Sequence, residues 1–209
     1  MAYSLAIFDF DGTLADSFPF FLQAQQRLAD KHGFARIQPD EVEALRRRPV
    51  SDLIRNSGLP LWKLPRIASD FRTMMRDHAA PIPLFDGVDT MLGALAARGV
   101  RLGLVTSNAR DNAERILGAE NFRRFDDVDC GMSILGKRPR IRAMLRRAGV
   151  GPAQAIYIGD QDSDGEAARG EGVAFGAVAW GYAAPDILRA AGASHEFARM
   201  DDITTLLAP

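Results

Sequence analysis

Leu5-Ala6-Ile7-Phe8-Asp9-Phe10-Asp11-Gly12-Thr13-Leu14 is the stretch that decides the fold. Its first four residues are apolar on both faces, which reads as a strand buried in a parallel sheet. The run then ends in acids and a glycine. In extended chain, residues two apart point the same way, so Asp9 and Asp11 aim at one spot just past the strand end. Two close carboxylates repel, and the pair is costly without a cation or a proton between them. Gly12 lets the chain leave in a conformation that other residues resist. The plain alternative is a solvated Asp-rich turn.

Similar apolar runs recur at Arg101 to Val105, Ala155 to Ile158 and Val173 to Ala179. Helical spacing separates them. Val88, Met91, Leu92 and Leu95 recur every three or four residues before Gly99, and Ile141 to Ala148 repeats the pattern before Gly149. Strands alternating with helices predict an α/β domain with a parallel sheet. Between Asp16 and about Ala80 the pattern changes. Phe18 to Ala29, Glu41 to Arg48, Ser51 to Asn56 and Leu64 to His78 all read as helices, and Pro81-Ile82-Pro83 closes the segment. The expected organisation is therefore a helical cap, residues 16–81, inserted into a core made of residues 1–15 and 82–209. Such an insert stands above the C-terminal ends of the strands, where open α/β sheets bind ligands. A helical lid there can exclude water and select substrates.

Composition narrows the function. Across 209 residues the formal net charge is −1, so there is no broad basic field for nucleic acid or an acidic membrane. The single cysteine, Cys130, excludes an internal disulfide and fits a reducing compartment. Met1-Ala2-Tyr3-Ser4 carries no basic leader or long apolar run. The expectation is a cytoplasmic protein with no membrane span. No long heptad run appears, so a coiled-coil dimer is not expected; the sequence leaves the oligomeric state open.

Three further features sit at strand ends. Ile158-Gly159-Asp160-Gln161-Asp162-Ser163-Asp164 places a second acid cluster where a strand hands over to a helix, expected from Glu166 to Arg169. Two acid clusters at strand ends can together hold one hard cation through oxygen. The same residues fit a calcium-loop pattern through Asp160, Asp162, Asp164, Gly165 and Glu171. That reading, a non-catalytic calcium binder using residues 160–171, needs a helix before the loop, where Ala155 to Ile158 reads as a strand. Leu102-Gly103-Leu104-Val105-Thr106-Ser107-Asn108 ends in small polar residues ahead of a helix from Arg110 to Leu117. Thr106 and backbone N–H groups could bind phosphate there, or Ser107 and Asn108 could simply cap the helix. Lys137, in Gly136-Lys137-Arg138-Pro139, could sit over a phosphate or pair with a carboxylate; a lone lysine is also ordinary surface.

Taken in order, these features resemble the haloacid dehalogenase superfamily of hydrolases. Asp9, Asp11, Gly12 and Thr13 match its DxDGT signature, Thr106 its second motif, Lys137 its third, and Gly159, Asp160 and Asp164 its fourth. Ala167-Ala168-Arg169 with Gly172, and Val178-Ala179-Trp180-Gly181, extend the likeness over nearly the whole chain. The resemblance implies a Rossmann-like parallel sheet core with an inserted helical cap, and a magnesium-dependent phosphatase. By it, Asp9 is the nucleophile that forms an aspartyl-phosphate, and Asp11 the general acid and base. Thr106, the N–H of Ser107 and Lys137 bind the phosphoryl group. The resemblance also implies Mg2+ held by Asp9, the backbone carbonyl of Asp11, and Asp160, with Asp164 contacting it directly or through water. The named dehalogenases lack the second aspartate, so Asp11 favours phosphatase; a phosphomutase is the rival within the superfamily.

Relatives with similar caps include phosphoglycolate phosphatases, so the implied partner is a small phosphorylated metabolite. The sequence departs from the usual pattern at Arg138, which rivals Lys137, and at Asp162, an extra acid expected to face solvent. In the cap, Arg46-Arg47-Arg48 reads as a solvated helix face and Trp62 as part of the cap core. One arginine or Lys63 is available to reach a substrate carboxylate or sugar.

Overall fold

The computed structural model describes residues 3–56, 58, 60–77, 81–131 and 136–207. In it Leu5–Phe8 (β1) runs through the middle of a six-stranded, wholly parallel sheet. Its neighbours are Arg101–Thr106 (β2) and Ala155–Gly159 (β4). Outside them lie Asp127–Cys130 (β3) on one side, and Ala174–Val178 (β5) then His195–Phe197 (β6) on the other. The order is β3-β2-β1-β4-β5-β6. The chain therefore changes direction across the sheet at β1, between β2 and β4, and a crevice opens at the carboxyl ends there.

The two faces of β1 follow from alternation. Ala6 and Phe8 join Leu102, Leu104, Ile156 and Ile158 in one apolar layer. Leu5 and Ile7 join Val105, Ala155, Tyr157 and Phe175 in the other. Helices cover both layers. Val88, Met91, Leu92 and Leu95 put the helix Val88–Ala97 against the first face, and Ile141, Met144 and Leu145 put Arg138–Ala148 against the second. Each such side chain, fully buried, contributes about 1.5–3 kcal/mol. This is the expected α/β architecture.

Between β1 and that first helix come four helices: Phe18–His32 (α1), Val42–Arg46 (α2), Val50–Asn56 (α3) and Leu64–Asp77 (α4). His78, the expected end of α4, and Met1-Ala2 lie outside the described residues. Val88–Ala97 is α5, Arg110–Arg123 is α6 and Arg138–Ala148 is α7; Asp162–Gly170 (α8), Pro185–Ala190 (α9) and Met200–Leu206 (α10) follow. Among the described residues no helix is long and apolar enough to cross a membrane. α1 packs on α4: Phe20 and Phe21 meet Phe71 at 5.4 and 6.2 Å between ring centroids. Asp70 accepts from His32 at 2.7 Å and pairs with Lys31 at 2.8 Å.

Several expectations are corrected. α8 begins at Asp162, not Glu166. Asp162 is buried rather than solvent-facing, because it sits in the first helical turn, whose free N–H groups favour an acid. The calcium-loop reading fails with it. A strand precedes the segment, a helix fills it, and Glu171 is spent on Arg138 and Arg142 at 2.7 and 2.8 Å. Trp62 is 78% exposed. It lies in a single 3-10 turn, Leu61–Lys63, and Lys63 Nζ stands 5.6 Å from its ring centroid, a cation–ring contact that suits an exposed indole. α6 runs past the expected Leu117 to Arg123, with a break at Gly118.

Candidate active site

Asp9 follows β1 directly and donates its backbone N–H to the carbonyl of Ile158 at 2.8 Å. Sheet pairing thus carries one residue beyond the strand and sets Asp9 beside the end of β4. There the second acid cluster begins with Asp160. A side-chain oxygen from each of Asp9, Asp160 and Asp164 lies within 4.8 Å of the others, and all three residues are buried. Lys137, at the N-terminal edge of α7, reaches in and places Nζ 2.6 Å from Asp9 Oδ2 and 2.6 Å from Asp164 Oδ1. Arg138, its rival, turns away to Glu171.

The remaining oxygens of the acids are held. Asp164 Oδ2 accepts the N–H groups of Asp160 and Gln161 at 3.2 and 3.1 Å, capping α8. Asp160 Oδ1 accepts from the Thr13 hydroxyl at 3.0 Å, and Oδ2 from the N–H of Tyr182 at 2.8 Å. Gly12 turns the first loop with φ +81°, and a Cβ there would lie 2.8 Å from Asp160 Cγ. Only glycine gives both that backbone and that space.

Three carboxylates face one ammonium, so the cluster is two charges short of neutral. Burial lifts Asp9 to about 7, against the pull of Lys137 and with the push of Asp164. Asp160 is lifted well above the usual carboxylate range by burial, then by Asp9 and Asp164. Burial works against the Lys137 charge, but Asp164 and Asp9 outweigh it and hold the ammonium well above its ordinary value. These oxygen donors could hold one hard divalent cation, whose two charges would supply what is missing.

Asp11 points elsewhere. Its carboxylate accepts from Asn108 Nδ2 at 3.2 Å. Burial raises it, while bonds from Ser17 and Asn108 oppose the rise. Its side chain is not one of the three clustered carboxylates. Thr106, at the end of β2, accepts the N–H of Asn108 on Oγ1 at 2.9 Å, which leaves its own proton to donate. Ser107 follows and is exposed.

Asn108 and Tyr182 were not expected at the site. Asn108 is buried, and besides Asp11 it contacts Met75 Sδ of α4 at 2.8 Å. It does not cap α6 as the N-cap residue; Ala109 holds that position and bonds to the Asn108 side chain. Tyr182 bonds Ser17 through its hydroxyl at 2.9 Å and packs on Phe18 and Phe21 of α1. Only the Ser-Asn pair after β2 offered a signal in advance.

Residues 6–178 match the family described as haloacid dehalogenase-like hydrolase. The chain belongs to that family. It is 35% identical to a phosphoglycolate phosphatase of Synechococcus elongatus, over 84% of each chain. It is 30% identical to a plasmid-borne phosphoglycolate phosphatase of Cupriavidus necator, covering 97% of this chain and 92% of that one. A haloacid dehalogenase-like hydrolase of Streptococcus pneumoniae superposes with a TM-score of 0.81 over 99% of both chains, at 20% identity, and so shares the fold. Within the haloacid dehalogenase-like hydrolases, the chain is an enzyme of the phosphatase class.

Proposed function

We propose that this phosphatase is magnesium-dependent, hydrolyses small organic phosphate monoesters of the phosphoglycolate kind, and works through a phosphorylated Asp9. The observation that carries the proposal is Lys137 bridging Asp9 and Asp164 beside Asp160, at the crevice where the sheet reverses. The names of its relatives support the substrate class.

In this reading Asp9 attacks phosphorus, forming an O–P bond as the ester O–P bond breaks. Asp11 gives its proton to the departing alkoxide. Asp11 then takes a proton from water, which attacks the phosphorus and frees Asp9 and phosphate. Its raised pKa suits a group that must hold a proton and then accept one. Thr106 and the N–H of Ser107 orient the phosphoryl oxygens, and Lys137 offsets charge on Asp9. Asp9, Asp160, Asp164 and the Asp11 carbonyl would hold Mg2+, which supplies charge neutralisation for the acids and the phosphoryl group. Residues 16–81 would form a cap over a core of residues 1–15 and 82–209. Lys63 donates to the carbonyl of His32 at 3.0 Å.

The test is hydrolysis of p-nitrophenyl phosphate and 2-phosphoglycolate with magnesium, with chelator, and by Asp9→Asn. Magnesium-dependent release of phosphate that disappears in the variant is expected. Transfer of phosphate to a second position of a sugar phosphate, without release, would replace the proposal with the phosphomutase reading.

A further inference from the structure

Arg46 ends α2 and opens the run Arg46-Arg47-Arg48, and it is half-buried where Arg47 and Arg48 are exposed. Its guanidinium donates through Nε to the carbonyl of Tyr182 at 3.0 Å and through Nη2 to the carbonyl of Gly181 at 2.9 Å. Its own carbonyl accepts the N–H of Ala184 at 2.8 Å. The aliphatic stem passes Phe18, with the guanidinium carbon 6.0 Å from the ring centroid. Helix α2 is thus fastened to the loop after β5 by three bonds.

That loop holds Asp160. The Gly181 carbonyl and the Tyr182 N–H belong to one planar peptide group. Arg46 holds the oxygen end, and the N–H end donates to Asp160 Oδ2 at 2.8 Å. A cation at one end and a carboxylate at the other polarise the same peptide, and hydrogen bonds in such a chain strengthen one another. The next N–H, of Ala183, donates to the Asp160 carbonyl at 3.2 Å. Gly181 lies flat against Asp160: a Cβ there would come within 2.7 Å of Asp160 Cγ. The orientation of Asp160 is therefore fixed by a peptide that Arg46 fixes in turn.

We propose that Arg46 is a positioning residue: docking of α2 through Arg46 orients Asp160 for the divalent cation, so cation binding and closure of the helical insert favour each other. This rests on the reading of Asp160 as a metal ligand. Partners that orient a ligand are worth about 10–100-fold in metal affinity. The coupling is reciprocal, so the cation must also favour the docked insert.

The experiment titrates Mn2+ by electron paramagnetic resonance into wild type, Arg46→Met, Arg46→Lys, Arg47→Ala and Asp160→Asn, each checked for folding by circular dichroism. Methionine keeps an unbranched side chain beside Phe18 and removes the two donors to the loop, together with the exposed Nη1 bond to Glu43; lysine can restore one. Arg46→Met should bind Mn2+ about 10–100-fold more weakly, with Arg46→Lys between it and wild type. Arg47→Ala, which loses only an exposed pair with Asp186, should bind as wild type. Hydrogen exchange read by mass spectrometry adds a second readout. Mg2+ should slow exchange across residues 42–46 in wild type and not in Arg46→Met. Wild-type Mn2+ affinity in Arg46→Met, alongside loss of binding in Asp160→Asn, would overturn the inference alone. Wild-type affinity in Asp160→Asn would overturn the metal reading beneath it.

Discussion

Lys137→Met removes the one ammonium that lies between Asp9 and Asp164, 2.6 Å from each. Deleting one partner of a buried pair costs about 3–5 kcal/mol, because the other charge stays buried and unpaired. In a chain of this length that corresponds to a fall of about 6–20 °C in melting temperature. The cost should depend on pH. Asp9 keeps its proton up to about pH 7 even with the lysine beside it, so in mild acid the variant relieves itself by protonation. In chelator, the difference from wild type should be large near pH 8 and much smaller near pH 5.5. Magnesium at pH 8 should narrow it, since the cation takes over the neutralising role. Turnover should not recover with it. Loss of one preorganised positive donor to a reacting phosphoryl group costs about 10²–10³ in kcat. Calorimetric melts and steady-state hydrolysis on the same preparations decide the matter. An equal loss of stability at both pH values, or turnover close to wild type in saturating magnesium, would refute the charge balance argued for the cluster.

Three other outcomes are expected. In chelator, wild type should lose stability as pH rises from about 4 to about 7. Burial holds a proton on folded Asp9 up to about 7 that the unfolded chain has released, so each rise in pH favours unfolding; melts that stay level across this range would contradict it. Gly181→Ala puts a methyl against Asp160 and should cost about 1–3 kcal/mol, with weaker Mn2+ binding; an unchanged melting temperature would show the loop giving way freely. Asn108→Ala removes a bond that holds the Asp11 pKa down. The alkaline limb of kcat/KM, where Asp11 loses the proton it must donate, should therefore move to higher pH, and a pH profile of phosphate release measures it.

The parts legible in sequence were those where one physical demand dominates. β1, β2, β4 and β5 are buried on both faces, so their apolar runs stand out. β3 (Asp127-Val128-Asp129-Cys130) and β6 (His195-Glu196-Phe197) are short edge strands that mix polar, partly exposed residues with apolar ones such as the buried Phe197, so no apolar run marks them. Asp9, Asp160, Asp164 and Lys137 could be collected because each follows a strand or precedes a helix. Their meeting through two shared lysine contacts needed the sheet order. Arg46 shows the limit. In sequence it is one arginine of three, and what singles it out is a loop 135 residues away. Trp62 shows another: beside Leu61 and Leu64 it reads as core, but it stands exposed in a tight turn with Lys63 over its ring.

Four of the bonds that tie α2 and α4 to the rest of the chain share one chemical trait. Arg46 gives its hydrogens to the carbonyls of Gly181 and Tyr182. On the opposite side, Asn112 gives to the carbonyl of Arg72 and Arg115 to that of Met75, at 3.2 and 2.9 Å. Guanidinium, amide and carbonyl groups do not change protonation between pH 5 and pH 9. Among the described residues, only the exposed Arg47–Asp186 pair adds two opposite charges, and it is worth little in water. The bond from Ser17, the residue before α1, to the Asp11 carboxylate does titrate, so the hold of α1 beside the site should follow the protonation of Asp11. A pH profile of this enzyme then reports on the carboxylates at the strand ends and, through Ser17, on how firmly α1 is held beside them.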